Sequence, residues 1–74
     1  MAGSTMQAAL KQRSEEAVAI IERLINAGAT PAEIGERAQV SARTVYRWWR
    51  EGHAPHPVML DALRRFASER AAGR

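Results

Sequence analysis

The chain has no cysteine. That excludes a disulfide scaffold, a thiolate metal site and a cysteine nucleophile. It has two histidines, His53 and His56, so a zinc site would need carboxylates to complete it. The longest uninterrupted apolar run is Ala17 to Ile21, far short of the roughly 20 residues a membrane span needs. No secretory signal fits. No stretch alternates apolar and polar residues, so no strand is expected. With 74 residues there is room for one domain, a thin core and little space for a ligand-sized pocket. No nucleophile–base pair or carboxylate dyad stands out. What is present is apolar content of 46%, enough to fold. These limits set the expectation of a soluble, intracellular module with no catalysis, no cofactor, no metal and no small-molecule ligand.

Charge is unevenly spread. Of eleven basic residues, ten are arginine, and the net charge is +3. Residues 1–40 set Lys11, Arg13, Arg23 and Arg37 against five glutamates, a net −1. Residues 41–74 set seven arginines against Glu51, Asp61 and Glu69, a net +4. A basic half points to a polyanion, and arginine suits phosphate and guanine geometry better than lysine does. A genome rich in guanine and cytosine also encodes arginine and alanine freely, so charge alone does not decide.

Helical spacing organises the rest. Ala17, Ile21 and Leu24 form one stripe, widened by Ile20 and Ile25, and Gly28 suits a left-handed helix end. Ser14, followed by Glu15 and Glu16, is one possible start; a start near Thr5 is the other, since Leu10 continues the face. Thr30-Pro31-Ala32-Glu33 reads as a capping box with proline at the first helical position. The short helix that follows turns Ile34 and Ala38 inward. Gly35 costs about 1 kcal/mol there relative to alanine, and such a glycine permits close approach of another helix. Ser41 caps a third helix with Val45 and Trp48 on one side, stopped by Gly52. His53-Ala54-Pro55-His56-Pro57 is a loop. Pro57 opens a fourth helix with Val58, Met59, Leu60, Leu63, Phe66 and Ala67 as its apolar set. The reading is all-α, a compact bundle of four to five helices. Residues 1–13 form a flexible or partly helical arm, 14–70 the domain and 71–74 a frayed end.

Two short helices joined by a tight turn are the helix-turn-helix arrangement. Residues 31–52 resemble the helix-turn-helix of phage Cro and repressor proteins. Ile34, Gly35, Ala38, Val40, Ser41, Thr44, Val45, Arg47 and Trp48 carry the likeness. Gly52 to Phe66, with Pro55, Pro57, Leu60 and Leu63, resembles the loop and helix that follow in that family. Two features depart from it. Gln39 stands in the turn where many members have glycine, and a left-handed backbone there is mildly strained for glutamine. Gly52 also comes one residue later than is commonest. The resemblance implies a lambda-repressor-like domain that binds double-stranded DNA in the major groove. It implies a small phage or bacterial repressor, cytoplasmic and nucleoid-associated, acting by promoter occlusion. The rivals are a helical module gripping a host protein, and a DNA-targeting subunit of a recombinase or terminase.

At 100° per residue, Arg43, Arg47 and Arg50 form a stripe away from Val45 and Trp48, with Ala42 and Tyr46 beside it. Arg43 and Arg47 are the candidates for base readout, and Ala42 for contact with a thymine methyl. Ser41, Thr44 and Tyr46 are candidates for phosphate contact, and Arg50 for the DNA backbone. Thr30 and the amides behind it form a possible anion site. Trp48 is read as core. Trp49 is read first as packing under the fourth helix, with DNA stacking or a partner contact as alternatives. His53 and His56 are read as loop residues. A homodimer is expected, with its interface on the fourth helix or, second, the first.

Overall fold

The computed structural model describes the backbone of residues 2–72 and the side chains of residues 6–72. Four helices follow one another: α1 (Ala2–Asn26), α2 (Pro31–Ala38), α3 (Ala42–Arg50) and α4 (Pro57–Ala72). Among the described residues there is no strand. No helix is long and apolar enough to cross a membrane, again among the described residues.

α1 begins earlier than either expected start. Residues 7–13 are Gln, Ala, Ala, Leu, Lys, Gln and Arg, all good helix formers, and nothing among them breaks the helix. Ser14 therefore lies inside α1 rather than capping it. Its hydroxyl instead donates to the Gly52 carbonyl at 3.2 Å. Residues 2–13 of the arm expected to be flexible or partly helical thus share one unbroken helix with the domain expected from residue 14; residue 1 lies outside the described residues. Residues 6–12 of it are all exposed. The frayed end expected at 71–74 is helical through Ala72; its last two positions lie outside the described residues.

The core is assembled from one stripe of each helix. Ala17, Ile21 and Leu24 of α1 meet Ile34 and Ala38 of α2, Val45 and Trp48 of α3, and Leu60, Leu63 and Phe66 of α4. Ile20, Ile25, Val40, Trp49, Met59, Ala62 and Ala67 pack half-buried around it. The inward residues expected from helical spacing are buried or half-buried there, except Leu10, expected to continue the α1 face, and Val58 of the α4 apolar set, which are exposed.

Two helix ends close in the same way. At the end of α1 the Gly28 N–H donates to Ile25 at 3.0 Å and the Ala29 N–H to Leu24 at 2.9 Å. At the end of α2 the Gln39 N–H donates to Glu36 at 3.3 Å and the Val40 N–H to Gly35 at 2.8 Å. Both are Schellman closures, which need a left-handed residue at the turn. Gly28 supplies it with φ of 99°, and Gln39 with φ of 60°. Glutamine there carries a backbone strain that glycine escapes.

Candidate nucleic-acid interface

The angle between α2 and α3 is set by a close approach. A Cβ on Gly35 would lie 2.6 Å from the Val40 carbonyl oxygen and 3.2 Å from the Ser41 carbonyl carbon. Only glycine lets the turn lie this tightly on α2. Three residues, Gln39, Val40 and Ser41, then suffice to redirect the chain into α3.

α3 starts on a cap that its own first turn completes. The Ser41 hydroxyl accepts from the Thr44 N–H at 3.2 Å, and the Ser41 and Thr44 hydroxyls share a hydrogen bond at 3.2 Å. Thr44 stands where a capping box would place glutamate, so the start of α3 carries no negative side chain. Inward, Val45 is fully buried and Trp48 is 4% exposed. Outward, Ala42, Arg43, Tyr46, Arg47 and Arg50 are all exposed. The helix is short, about 13 Å long at 1.5 Å per residue, and a major groove about 12 Å wide admits an α-helix.

The outward arginines stand apart from Arg37 of α2 and from those of α4 in how they are paired; Arg13 and Arg23 of α1 also have no carboxylate partner among the described residues. Arg64 donates to both carboxylate oxygens of Glu16, at 2.5 Å from Nε and 2.7 Å from Nη2. Arg65 meets Asp61 at 2.9 Å, Arg37 meets Glu69 at 2.8 Å, and Arg70 lies 4.0 Å from Glu33. Among the described residues no carboxylate pairs with Arg43, Arg47 or Arg50. Glu51, next along the chain from Arg50, faces His53 at 3.8 Å instead. α3 therefore presents three uncompensated positive charges on one face. The Glu16 carboxyl is held below its ordinary range by the hydrogen bonds from Arg64 and by that guanidinium's charge.

Ser41, Ala42, Arg43, Thr44, Tyr46, Arg47 and Arg50 are thus brought together on α3 and its cap. Thr30 is not among them. It caps α2, where its hydroxyl accepts from the Glu33 N–H at 3.2 Å and its own N–H donates to the Glu33 carboxylate at 3.2 Å. The anion position at this helix start is filled by the chain's own glutamate.

Trp49 is the residue that the spacing placed least well. It is half-buried and packs against the core. Its ring meets Tyr46 edge-on at 5.5 Å, and the Arg50 guanidinium lies over it at 4.4 Å. Adjacent helical residues point about 100° apart, so spacing gave no sign of this stack. His53 and His56 are loop residues, as read. His56 also caps α4, its Nδ1 accepting from the Val58 N–H at 3.2 Å.

No curated protein and no solved structure matches the chain. A family model does match it, that of the homeodomain-like domain, over residues 11–57. This is more than half of the chain. It takes in most of α1, all of α2 and α3, and the loop as far as the first residue of α4. The matched segment is thus the part that builds the turn, the cap and the arginine face. The chain belongs to the homeodomain-like domain family, and is a helix-turn-helix DNA-binding protein.

Proposed function

We propose that this chain is a small transcriptional regulator that recognises a specific duplex sequence by laying α3 in the major groove. The observation that carries the reading is the outward face of α3, with three exposed arginines that no carboxylate among the described residues neutralises. Arg43 and Arg47, nearer the start of α3, read base edges, since recognition helices use their N-terminal residues for this. An arginine can give guanine O6 and N7 two hydrogen bonds. Ala42 lies against a thymine methyl. Ser41, Thr44 and Tyr46 bond phosphates, and Arg50 meets the backbone farther along. Thr30 is the weakest member of the set, because a phosphate there must displace Glu33. The regulator acts as a repressor of the phage or bacterial kind, inside the cytoplasm, by covering a promoter that polymerase then cannot enter.

The protein binds as a symmetric pair. One module of this size buries about 600–1,000 Å² on DNA, little for tight binding alone, and two-fold pairing is the commonest symmetry. Recognition helices about 34 Å apart then read half-sites one turn apart. Among the described residues α4 leaves one large apolar side chain exposed, Val58, whereas α1 leaves Met6 and Leu10, which are 69% and 42% exposed. This leftover surface favours α1 over α4 as the interface.

Selection of bound duplexes from a random pool, followed by titration at several salt concentrations, tests the reading. It expects an enriched palindromic site and a log–log slope of about −0.9 per phosphate neutralised. Sedimentation is expected to give two chains per palindrome. Absence of any duplex affinity would leave the protein-interaction reading in its place.

A further inference from the structure

We infer that Trp49 is a positioning residue that holds the Arg50 guanidinium for a DNA phosphate. The inference rests on the DNA-binding reading above. Three observations support it. Trp49 is anchored, half-buried against the core, and braced by the edge of Tyr46 at 5.5 Å and 61°. The Arg50 guanidinium stacks on its ring at 4.4 Å. No carboxylate among the described residues competes for Arg50, since Glu51 faces His53.

A stacked guanidinium offers its flat face to the ring and keeps its five N–H donors at the rim. The rim is the part that bonds phosphate oxygens, often in a two-pronged fashion. A side chain already held loses less freedom when it meets its partner. Arg43 and Arg47 have no such ring beneath them in the described structure. They remain free to search base edges, whereas Arg50 is fixed at the last turn of α3, where the backbone lies. Trp49 itself touches neither base nor phosphate in this arrangement.

The experiment measures salt dependence of duplex binding for the wild type, Arg50→Ala, Trp49→Leu, Trp49→Phe and the double variant Trp49→Leu/Arg50→Ala. All are measured at a temperature where circular dichroism shows each to be folded. The wild-type slope is expected to fall by about 0.9 in Arg50→Ala, one phosphate contact. Trp49→Leu is expected to lower it toward the same value, the double variant to lower it no further, and Trp49→Phe, which keeps a ring, to restore most of it. A wild-type slope in Trp49→Leu, or in Arg50→Ala, overturns the inference while leaving the DNA-binding reading intact. A wild-type chain with no salt-dependent duplex binding overturns that reading, and the inference with it. Should Trp49→Leu not fold, side-chain nitrogen relaxation of the free wild-type protein decides instead. The Arg50 Nε–H is expected to be more ordered than those of Arg43 and Arg47, and equal mobility overturns the inference.

Discussion

Helices α3 and α4 each carry three arginines among the described residues, and they use them in opposite ways. On α4, Arg64 clamps Glu16 of α1, Arg65 pairs with Asp61 one turn back, and Arg70 donates to the Ala27 carbonyl at 2.9 Å at the end of α1. Arg37 of α2 reaches α4 as well, binding Glu69 while its guanidinium lies 4.8 Å over Phe66. Arg37, Arg64 and Arg70 fasten helices to one another, while Arg65 pairs within α4. On α3 the attachment is apolar, through Val45 and Trp48, and the arginines are left outside it. Arginine count therefore says little about function here. Whether a carboxylate stands opposite each one says much more, because a compensated charge contributes little field beyond about a Debye length.

The largest effect is expected where α3 depends on its apolar side. Trp48→Ala is expected to cost about 3–5 kcal/mol, as removal of a buried aromatic does. That rivals the whole stability of a domain this small. Thermal and urea unfolding followed by circular dichroism will show it. A variant that stays cooperative with an unchanged midpoint would place the weight of α3 on its neighbour Trp49.

The arginines come next, and here the two helices can be set directly against each other. Arg47→Ala is expected to lose about 1–3 kcal/mol of discrimination for the selected duplex, with little change in melting temperature. Arg65→Ala, also exposed and also of unit charge, is expected to leave sequence discrimination unchanged. Equal losses from both would mean that bulk charge drives binding and that the α3 face has no special part in it.

Most of the fold could be read from local chemistry. Thr30, Pro31 and Glu33, Ser41, Pro57, Gly28 and Gly52 each mark a helix end through a capping or turn preference that acts within a few residues. The core stripe followed from the helical period alone. The start of α1 was less well marked: the start read near Thr5 lies three residues from Ala2, but Ser14 also has the chemistry of a cap, and the helix simply continues through it, its hydroxyl satisfied by Gly52 from across the fold. The arginine face of α3 was legible as a stripe, but its distinction from α4 was not. Glu16 and Arg64 are 48 positions apart, and only tertiary packing reveals that one neutralises the other. The Trp49–Arg50 stack escaped for a different reason: neighbours on a helix do not ordinarily face one another.

The turn that aims α3 offers smaller and opposite effects. Gly35→Ala places a Cβ 2.6 Å from the Val40 carbonyl, which is backbone and cannot swing aside. Overpacking of this kind costs about 1–3 kcal/mol, of which about 1 kcal/mol returns through better helix propensity. A net loss of stability is expected, together with weaker duplex binding as α3 tilts. Gln39→Gly is expected to stabilise the fold by up to about 1 kcal/mol, since it relieves the left-handed backbone at φ of 60°. The Gly28 turn has no such strain to relieve. Loss of stability in Gln39→Gly would show that the glutamine side chain compensates its own backbone.

The smallest effect tests the fastening role of α4 through pH. The hydrogen bonds and charge of Arg64 hold the Glu16 carboxyl below its ordinary range in the folded state. A carboxyl depressed in this way contributes stability that is present above its unfolded value and lost as pH falls through the folded one. The pair is largely exposed, at 52% and 40%, so solvent and salt screen it and the change is modest. Glu16→Gln is accordingly expected to lower the melting temperature slightly at neutral pH. The gap from the wild type is expected to narrow as the pH is taken down through the acidic range, because the wild type then loses what the variant already lacks. Melting curves across that range, in low and high salt, check both parts. Duplex affinity at neutral pH is expected to be the same for Glu16→Gln and the wild type, since freeing Arg64 adds a charge on α4 and none on the face of α3. A clear gain in sequence-specific affinity would mean that the α4 arginines are held back from DNA by their carboxylates, and the division between the two helices would fail.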